Sequence, residues 1–306
     1  LEKAYDYLQE SIDLRGNNSS VAVLVNYMNT TRTLYNNEVL EGEKVVNNYS
    51  KISKIINLQL EKKPNSNMLQ RGKETIDKIF EASDAATCEN LITLYKPRLE
   101  KNKEDKELVK KIISLLTDSK CKDSQLYLEA NIQLNKLEPD PGIAHHIAQL
   151  YLEKGNMEKT IEFYKKAIEI EQDEKEKAAF YTELASLSYN KLEDKITARK
   201  YARKAIDLNP NNGRPYILIG RMYAQSVNQC GEDDFEKKAV LWVAVDQFLK
   251  AKQVDPDLKD EAQGYINSYQ PRFPDKKSIF FHNLQIGDSY QIGCWINETT
   301  TVRSSQ

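Results

Sequence analysis

Between residues 141 and 256 the chain repeats one pattern three times, and each copy has the length and spacing of a pair of helices. The first copy carries Ile147, Ala148 and Tyr151, a turn at Gly155-Asn156, then Thr160, Tyr164 and Ala167. The second carries Tyr181, Leu184, Ala185 and Ser188, then Ala198, Ala202, Ala205 and Pro210. The third carries Tyr216, Ile219, Gly220 and Tyr223, then Ala244, Phe248, Ala251 and Pro256. Small residues recur at fixed offsets between large ones. Ala148, Ala185 and Gly220 let the first helix of a pair approach the second. Ala167, Ala205 and Ala251 do the same toward the next copy, and the large residues fill the holes beside them. Each helix has a single apolar face and gains stability only by stacking on its neighbours.

The three copies resemble the tetratricopeptide repeat (TPR), a helix–turn–helix of about 34 residues. The resemblance implies an all-α fold, a right-handed α-α superhelix of the TPR solenoid type. It also implies a scaffold that binds a protein or peptide partner in a concave groove lined by the first helix of each pair. Two copies depart from the pattern. The second has one extra residue near Lys191–Lys195, with Ser188 and Ala202 where aromatics are usual. The third has roughly 12 extra residues between Tyr223 and Ala244, which include Cys230 and Gly231-Glu232-Asp233-Asp234. Phe235–Val254 reads as one long helix, expected to protrude at one edge of the array.

Three segments follow from this reading. Residues 1–140 are degenerate TPR-like helical repeats, residues 141–256 the three TPR units, and residues 257–306 a capping helix and tail. Lys3–Leu14 has Ala4, Leu8 and Ser11 at second-helix offsets. Val21–Tyr35, Val39–Leu60, Met68–Ala82, Cys88–Leu99, Lys106–Thr117 and Ser124–Lys136 read as further helices, with a turn at Lys62–Asn67. Asp140-Pro141 opens the next helix as N-cap and first residue. Leu258–Tyr269 reads as an amphipathic cap over the last repeat. Beyond Pro271 and Pro274, the alternation Tyr290, Ile292, Cys294, Ile296 and the β-prone Thr299–Val302 read as a short β-hairpin or extended tail with its turn at Asn297-Glu298. Such a hairpin is not stable alone. The expected anchors onto the solenoid are Phe280, Phe281 and Trp295.

Composition excludes several functions. With 44 Lys+Arg against 46 Asp+Glu the chain has a net charge of −2, which argues against nucleic acid as a partner. No apolar run approaches the roughly 18 residues of a transmembrane segment. The sequons at Asn18, Asn29, Asn48 and Asn297 are weak signals. Cys88, Cys121, Cys230 and Cys294 show no CxxC spacing, which leaves four buried thiols or two disulfides open.

The end of the chain adds a second resemblance, to exported TPR proteins of Bacteroidetes-type bacteria. It rests on Gly287-Asp288-Ser289-Tyr290, Trp295-Ile296 and Thr299–Arg303 after the repeats. It implies export, to the periplasm or cell envelope, and so bears on the cysteines. The expected disulfides are Cys88–Cys121, closing a loop of about 34 residues, and Cys230–Cys294, tying the tail to the third repeat.

Little in the sequence carries catalysis. His145 and His146 are adjacent, so on a helix they point about 100° apart and chelate one metal poorly. There is no phosphate loop, dinucleotide fingerprint or nucleophile elbow. Glu232-Asp233-Asp234 lacks the spacing of a calcium loop and reads as a helix cap. The carboxylates over residues 158–177 alternate with lysines at helical spacing, as on a solvated face. No enzyme, metal or cofactor is expected, and an unrecognised hydrolase has no nucleophile–base pair to rest on. The groove positions implied by the resemblance are His145, Gln149, Thr182, Ser186, Tyr189, Asn190, Arg214, Arg221 and Gln225. Two arginines among polar side chains suit an extended peptide or an acidic C-terminus. The carboxylate clamp of chaperone-binding TPR domains is not reproduced, because Gln149 stands at the clamp Asn position. The other expectation is a structural subunit of a cell-envelope assembly, docked through its ends or its tail.

Overall fold

The computed structural model describes residues 1–305. Gln306, the last residue of the expected tail segment, lies outside the described residues. The chain forms two compact units, Leu1–Pro139 and Asp140–Gln306. The described residues form fifteen α-helices and one two-stranded sheet, joined by short turns and loops.

The first unit holds α1 (Glu2–Arg15), α2 (Val21–Asn36), α3 (Gly42–Lys62), α4 (Asn67–Glu81), α5 (Cys88–Lys101), α6 (Lys106–Asp118) and α7 (Gln125–Leu137). Starts are written in the sequence. Ser20, Ser66, Thr87, Asp105 and Ser124 each accept a backbone N–H from the first turn of the helix that follows. The core is aliphatic and aromatic, with Tyr49 stacked on Phe80 at 3.8 Å. A buried polar cluster runs through it. Asn48 donates to the Tyr5 hydroxyl at 2.8 Å and to Thr31 at 3.1 Å, and the Tyr27 hydroxyl donates to that of Tyr5. Burial pushes the Tyr95 phenol up to about 12. Cys88, at the start of α5, and Cys121, in the turn before α7, lie at disulfide distance, their Cα atoms 5.6 Å apart.

The second unit stacks three helix pairs: α8 (Pro141–Glu153) with α9 (Met157–Ile170), α10 (Glu174–Asn190) with α11 (Lys195–Leu208), and α12 (Arg214–Ala224) with α13 (Asp234–Val254). Asp140, Asn156, Asp173, Asp194 and Asp233 cap five of these helices. The small residues of the repeat pattern, from Ala148 and Ala167 to Ala244 and Ala251, are fully buried. Gly220 leaves no room for a side chain. A Cβ there would lie 2.6 Å from the Phe248 ring and 3.0 Å from the Ala244 carbonyl oxygen. The next helix, α14 (Lys259–Tyr269), covers the last pair by placing Tyr265 and Tyr269 on the Phe248 ring, centroids 4.7 and 6.0 Å apart.

The longest helix of this unit, α13, does not protrude. Phe235, every residue from Ala239 to Val245, Phe248 and Ala251 are buried. A helix apolar all round needs cover on every side, and the C-terminal segment supplies it. After the short α15 (Lys276–Phe281), β1 (Ser289–Ile292) pairs antiparallel with β2 (Glu298–Thr301), Ser289 opposite Thr301 and Ile292 opposite Glu298. The turn is Gly293–Asn297, longer than expected. Asn297 ends it and Glu298 opens β2, because Ile296 turns into the core and Trp295 packs edge-on to Tyr223. The Trp242 indole donates to the Arg303 carbonyl at 2.8 Å, and the Arg303 guanidinium returns a bond to the Trp242 carbonyl at 2.7 Å and pairs with Asp246. Glu298 is held by Arg203 and by the Tyr223 hydroxyl. Cys230 and Cys294 lie at disulfide distance, Cα atoms 5.3 Å apart.

Of the three expected anchors, Trp295 packs on the unit and Phe280 and Phe281 do not. Ile279, Ile292, Ile296 and Val302 are buried against the unit, whereas Phe280 and Phe281 are 75% and 68% exposed. With only six residues, α15 can turn one side chain inward, and Ile279 takes that place.

Candidate functional site

The residues expected to line the groove come from α8, α10 and α12, and the structure brings four of them to one hollow. Thr182, Ser186, Arg214 and Arg221 border a cavity of about 280 Å³ between α10, α12 and the start of the capping helix. Its floor is apolar, made by Ile217, Leu218 and Leu258. Arg214 and Arg221 are seven residues apart, two turns of α12, and so share a face. Neither guanidinium has a carboxylate within ion-pairing distance among the described residues. Arg221 lies 5.8 Å above the Tyr189 ring. The Tyr189 hydroxyl is buried without a hydrogen-bond partner among the described residues, and burial raises its pKa.

Two acids that sequence reasoning missed also border the hollow, Glu183 and Glu261. Glu183 is engaged already. It lies 2.7 Å from His145 Nε2 and accepts from the Tyr164 hydroxyl at 2.8 Å. The His145 hydrogen bond holds its carboxyl below the usual range against an opposing burial effect. His145 is further fixed by stacking on Phe180 at 4.7 Å. Its neighbour Gln149 is exposed, with Nε2 3.4 Å from the ring. His145 and Gln149 therefore reach the hollow only through Glu183. The sequence signal was available, since Glu183 is the one charged residue between Ala178 and Asn190 in α10.

Asn190 donates to the Ser186 hydroxyl at 2.9 Å. Thr182 donates to its own helix at Ala178, which leaves its oxygen lone pairs toward the hollow's contents. Gln225 is exposed just past the end of α12 and does not border the hollow. Among the described residues there is no cluster of three or more His, Cys, Asp or Glu fit for a metal ion, and no helix long and apolar enough to cross a membrane.

The tetratricopeptide repeat profile matches residues 142–174 and 178–212. The chain carries tetratricopeptide repeats. Those matches cover the pairs α8–α9 and α10–α11, and α12–α13 continues the same packing with a longer connection. The repeats support a scaffold of the protein-interaction type. No curated protein matches the chain. Among solved structures, a crystal structure of MamA is 19% identical with a TM-score of 0.39, covering 56% of this chain and 92% of that one. A second MamA structure is 17% identical with a TM-score of 0.41, covering 70% and 94%. A monomeric IFIT1 mutant with m7Gppp-AAAA is 14% identical with a TM-score of 0.36, covering 85% and 63%. No functional argument rests on these distant likenesses.

Proposed function

We propose that the chain is a non-enzymatic scaffold that holds an extended, acidic peptide segment of a protein partner on the hollow between α10, α12 and α14. The observation that carries this reading is the pair of guanidiniums, Arg214 and Arg221, on one helix face without a carboxylate partner. A planar guanidinium binds a carboxylate through two parallel hydrogen bonds, and two such groups two turns apart match acidic residues spaced along an extended chain. Ile217, Leu218 and Leu258 offer a floor for an apolar side chain between them, while Thr182 and Ser186 offer oxygens to peptide N–H groups. Glu183, tied to His145 and Tyr164, leaves Glu261 as the one uncommitted negative charge at the rim among the described residues. The two cysteine pairs at disulfide distance support an oxidising compartment, and with it an exported protein of the periplasm or cell envelope. On this reading residues 1–140 are degenerate repeats that extend the same kind of scaffold.

The test is fluorescence anisotropy with a library of labelled acidic peptides on the wild type and on Arg214→Ala with Arg221→Ala. A bound peptide should weaken by about tenfold or more in the double variant, the loss of charge-assisted contacts. Equal affinity in both proteins refutes the site.

A second reading, a structural subunit of an envelope assembly, is favoured by one observation, the exposure of Phe280 and Phe281 side by side on α15. Deleting residues 275–306 is a poor test, since the tail is part of the core. Phe280→Ser with Phe281→Ser removes the exposed rings and leaves Ile279 in place. Loss of assembly with retained peptide binding selects this reading.

A further inference from the structure

A second hollow, of about 510 Å³, lies where α9, α10 and α11 meet. Lys165, Lys177, Lys200 and Lys204 surround it, over the rings of Tyr181 and Tyr201. None of the four ammonium groups has a carboxylate within ion-pairing distance among the described residues. On the same helix α9, Lys159 and Lys166 both pair with Glu162 at 2.7 Å, so pairing is available on this surface and the hollow is an exception. A single acid, Glu169, borders it. In a chain of net charge −2 this concentrates positive potential at one place. The two tyrosine rings lie 6.1 Å apart and 27° from parallel, with the Lys204 ammonium 5.2 Å from the Tyr181 ring. The result is an apolar, partly exposed floor ringed by cations.

We propose that this hollow binds an acidic oligosaccharide, with sugar rings against the tyrosines and sulfate, phosphate or carboxylate groups on the lysines. The volume is within the range of roughly 300–1,000 Å³ usual for small-ligand sites. The lining holds none of the amide or aliphatic hydroxyl side chains that read a peptide backbone. Confinement of the cations to one hollow, rather than a stripe, disfavours a nucleic-acid strand. The site shares no residue with the arginine hollow and stands or falls separately from it.

Isothermal titration of the full chain in about 50 mM salt tests the proposal. The probes are a heparin-derived tetrasaccharide, trigalacturonate and neutral maltotetraose. One or both acidic probes should bind, which also names the acid group, and maltotetraose should not. Lys200→Gln with Lys204→Gln changes two exposed side chains and should weaken binding by about tenfold or more, with the circular dichroism spectrum unchanged. Arg214→Ala with Arg221→Ala should leave it unaltered. Failure of both acidic saccharides to bind, or equal binding by the lysine double variant, overturns the proposal. So does tighter binding by an oligoglutamate peptide or an oligothymidylate.

Discussion

Replacing Gly220 by Ala separates the repeat geometry from ordinary helix propensity, because the two effects have opposite signs. In an unobstructed helix interior, Ala is better than Gly by about 1 kcal/mol. At Gly220 the added Cβ would lie 2.6 Å from Phe248 Cε1, 2.8 Å from Cζ and 3.0 Å from the Ala244 carbonyl oxygen. Phe248 cannot swing aside, since it is fully buried and stacked on both Tyr265 and Tyr269. Either α12 and α13 must separate or the ring must leave its rotamer, an overpacking strain of about 1–3 kcal/mol that propensity only partly offsets. Gly264, in α14, is the control, because a Cβ there meets nothing within 4 Å. Gly264→Ala should stabilise by about 0.5–1 kcal/mol. With about 1 kcal/mol of propensity set against the strain, the two single variants should differ by about 0.5–3 kcal/mol, or about 1–12 °C at about 2–4 °C per kcal/mol for a unit of this size, with Gly220→Ala the less stable. Urea unfolding followed by circular dichroism gives the same comparison as a shift in midpoint. A Gly220→Ala protein as stable as Gly264→Ala would mean that α12 and α13 do not cross at this residue, and the register of the third repeat would be wrong.

Two further outcomes follow from the stapling and the charge pattern. Cys230→Ser with Cys294→Ser opens a link across a sequence separation of 64, and Cys88→Ser with Cys121→Ser one across 33. Chain entropy puts each loss at about 4 kcal/mol, so both variants should unfold at clearly lower urea, and non-reducing peptide maps of the wild type should show both linkages. Four free thiols in that map would remove the premise. The His282 ring is held above its ordinary pKa by the Ser278 carbonyl and by Asp233. A raised folded pKa gives stability that is complete below the ordinary value and lost as pH rises through the folded one. The urea midpoint should therefore decline as pH rises past the ordinary histidine value of about 6.5, and His282→Gln should flatten that decline. An unchanged slope would assign it to another group.

How far the sequence could be read depended on whether a feature was local. N-caps such as Asp140, Asp194 and Asp233 lie within three residues of the N–H they accept, so helix starts were legible from the residues alone. The small residues at the crossings were legible because the repeat supplies three copies of the same contact. Residues 1–140 gave their helices but few of their partners, since packing such as Tyr5 on Asn48 spans 43 positions and has no periodic signature. The groove was half legible. Arg214 and Arg221 follow from helix period, whereas Glu261 comes from the capping helix, where no repeat pattern points to it. Phe280 and Phe281 were misread because hydrophobicity says that a ring prefers cover, not whether a six-residue helix can turn three neighbours inward at once.

The long helix α13 shows what a non-local reading would have needed. Residues 239–245 are Ala-Val-Leu-Trp-Val-Ala-Val, an unbroken apolar run that no one-sided repeat helix requires. One face of it packs on α12 and another on α14, and those contacts use the small and aromatic repeat residues already accounted for. What remains is the side carrying Trp242, whose indole N–H must find an acceptor once buried. The Arg303 carbonyl supplies it. Arg303, Glu298 and Thr300 then meet Asp246, Arg203 and Tyr223. A β-hairpin too small to fold alone is thereby fixed on a helix too apolar to stand exposed, and each explains the other. This packing draws on α11, α12 and α13 and uses none of the residues that border the arginine hollow. The unit can be stabilised at its tail without occupying the surface on which a partner is proposed to lie.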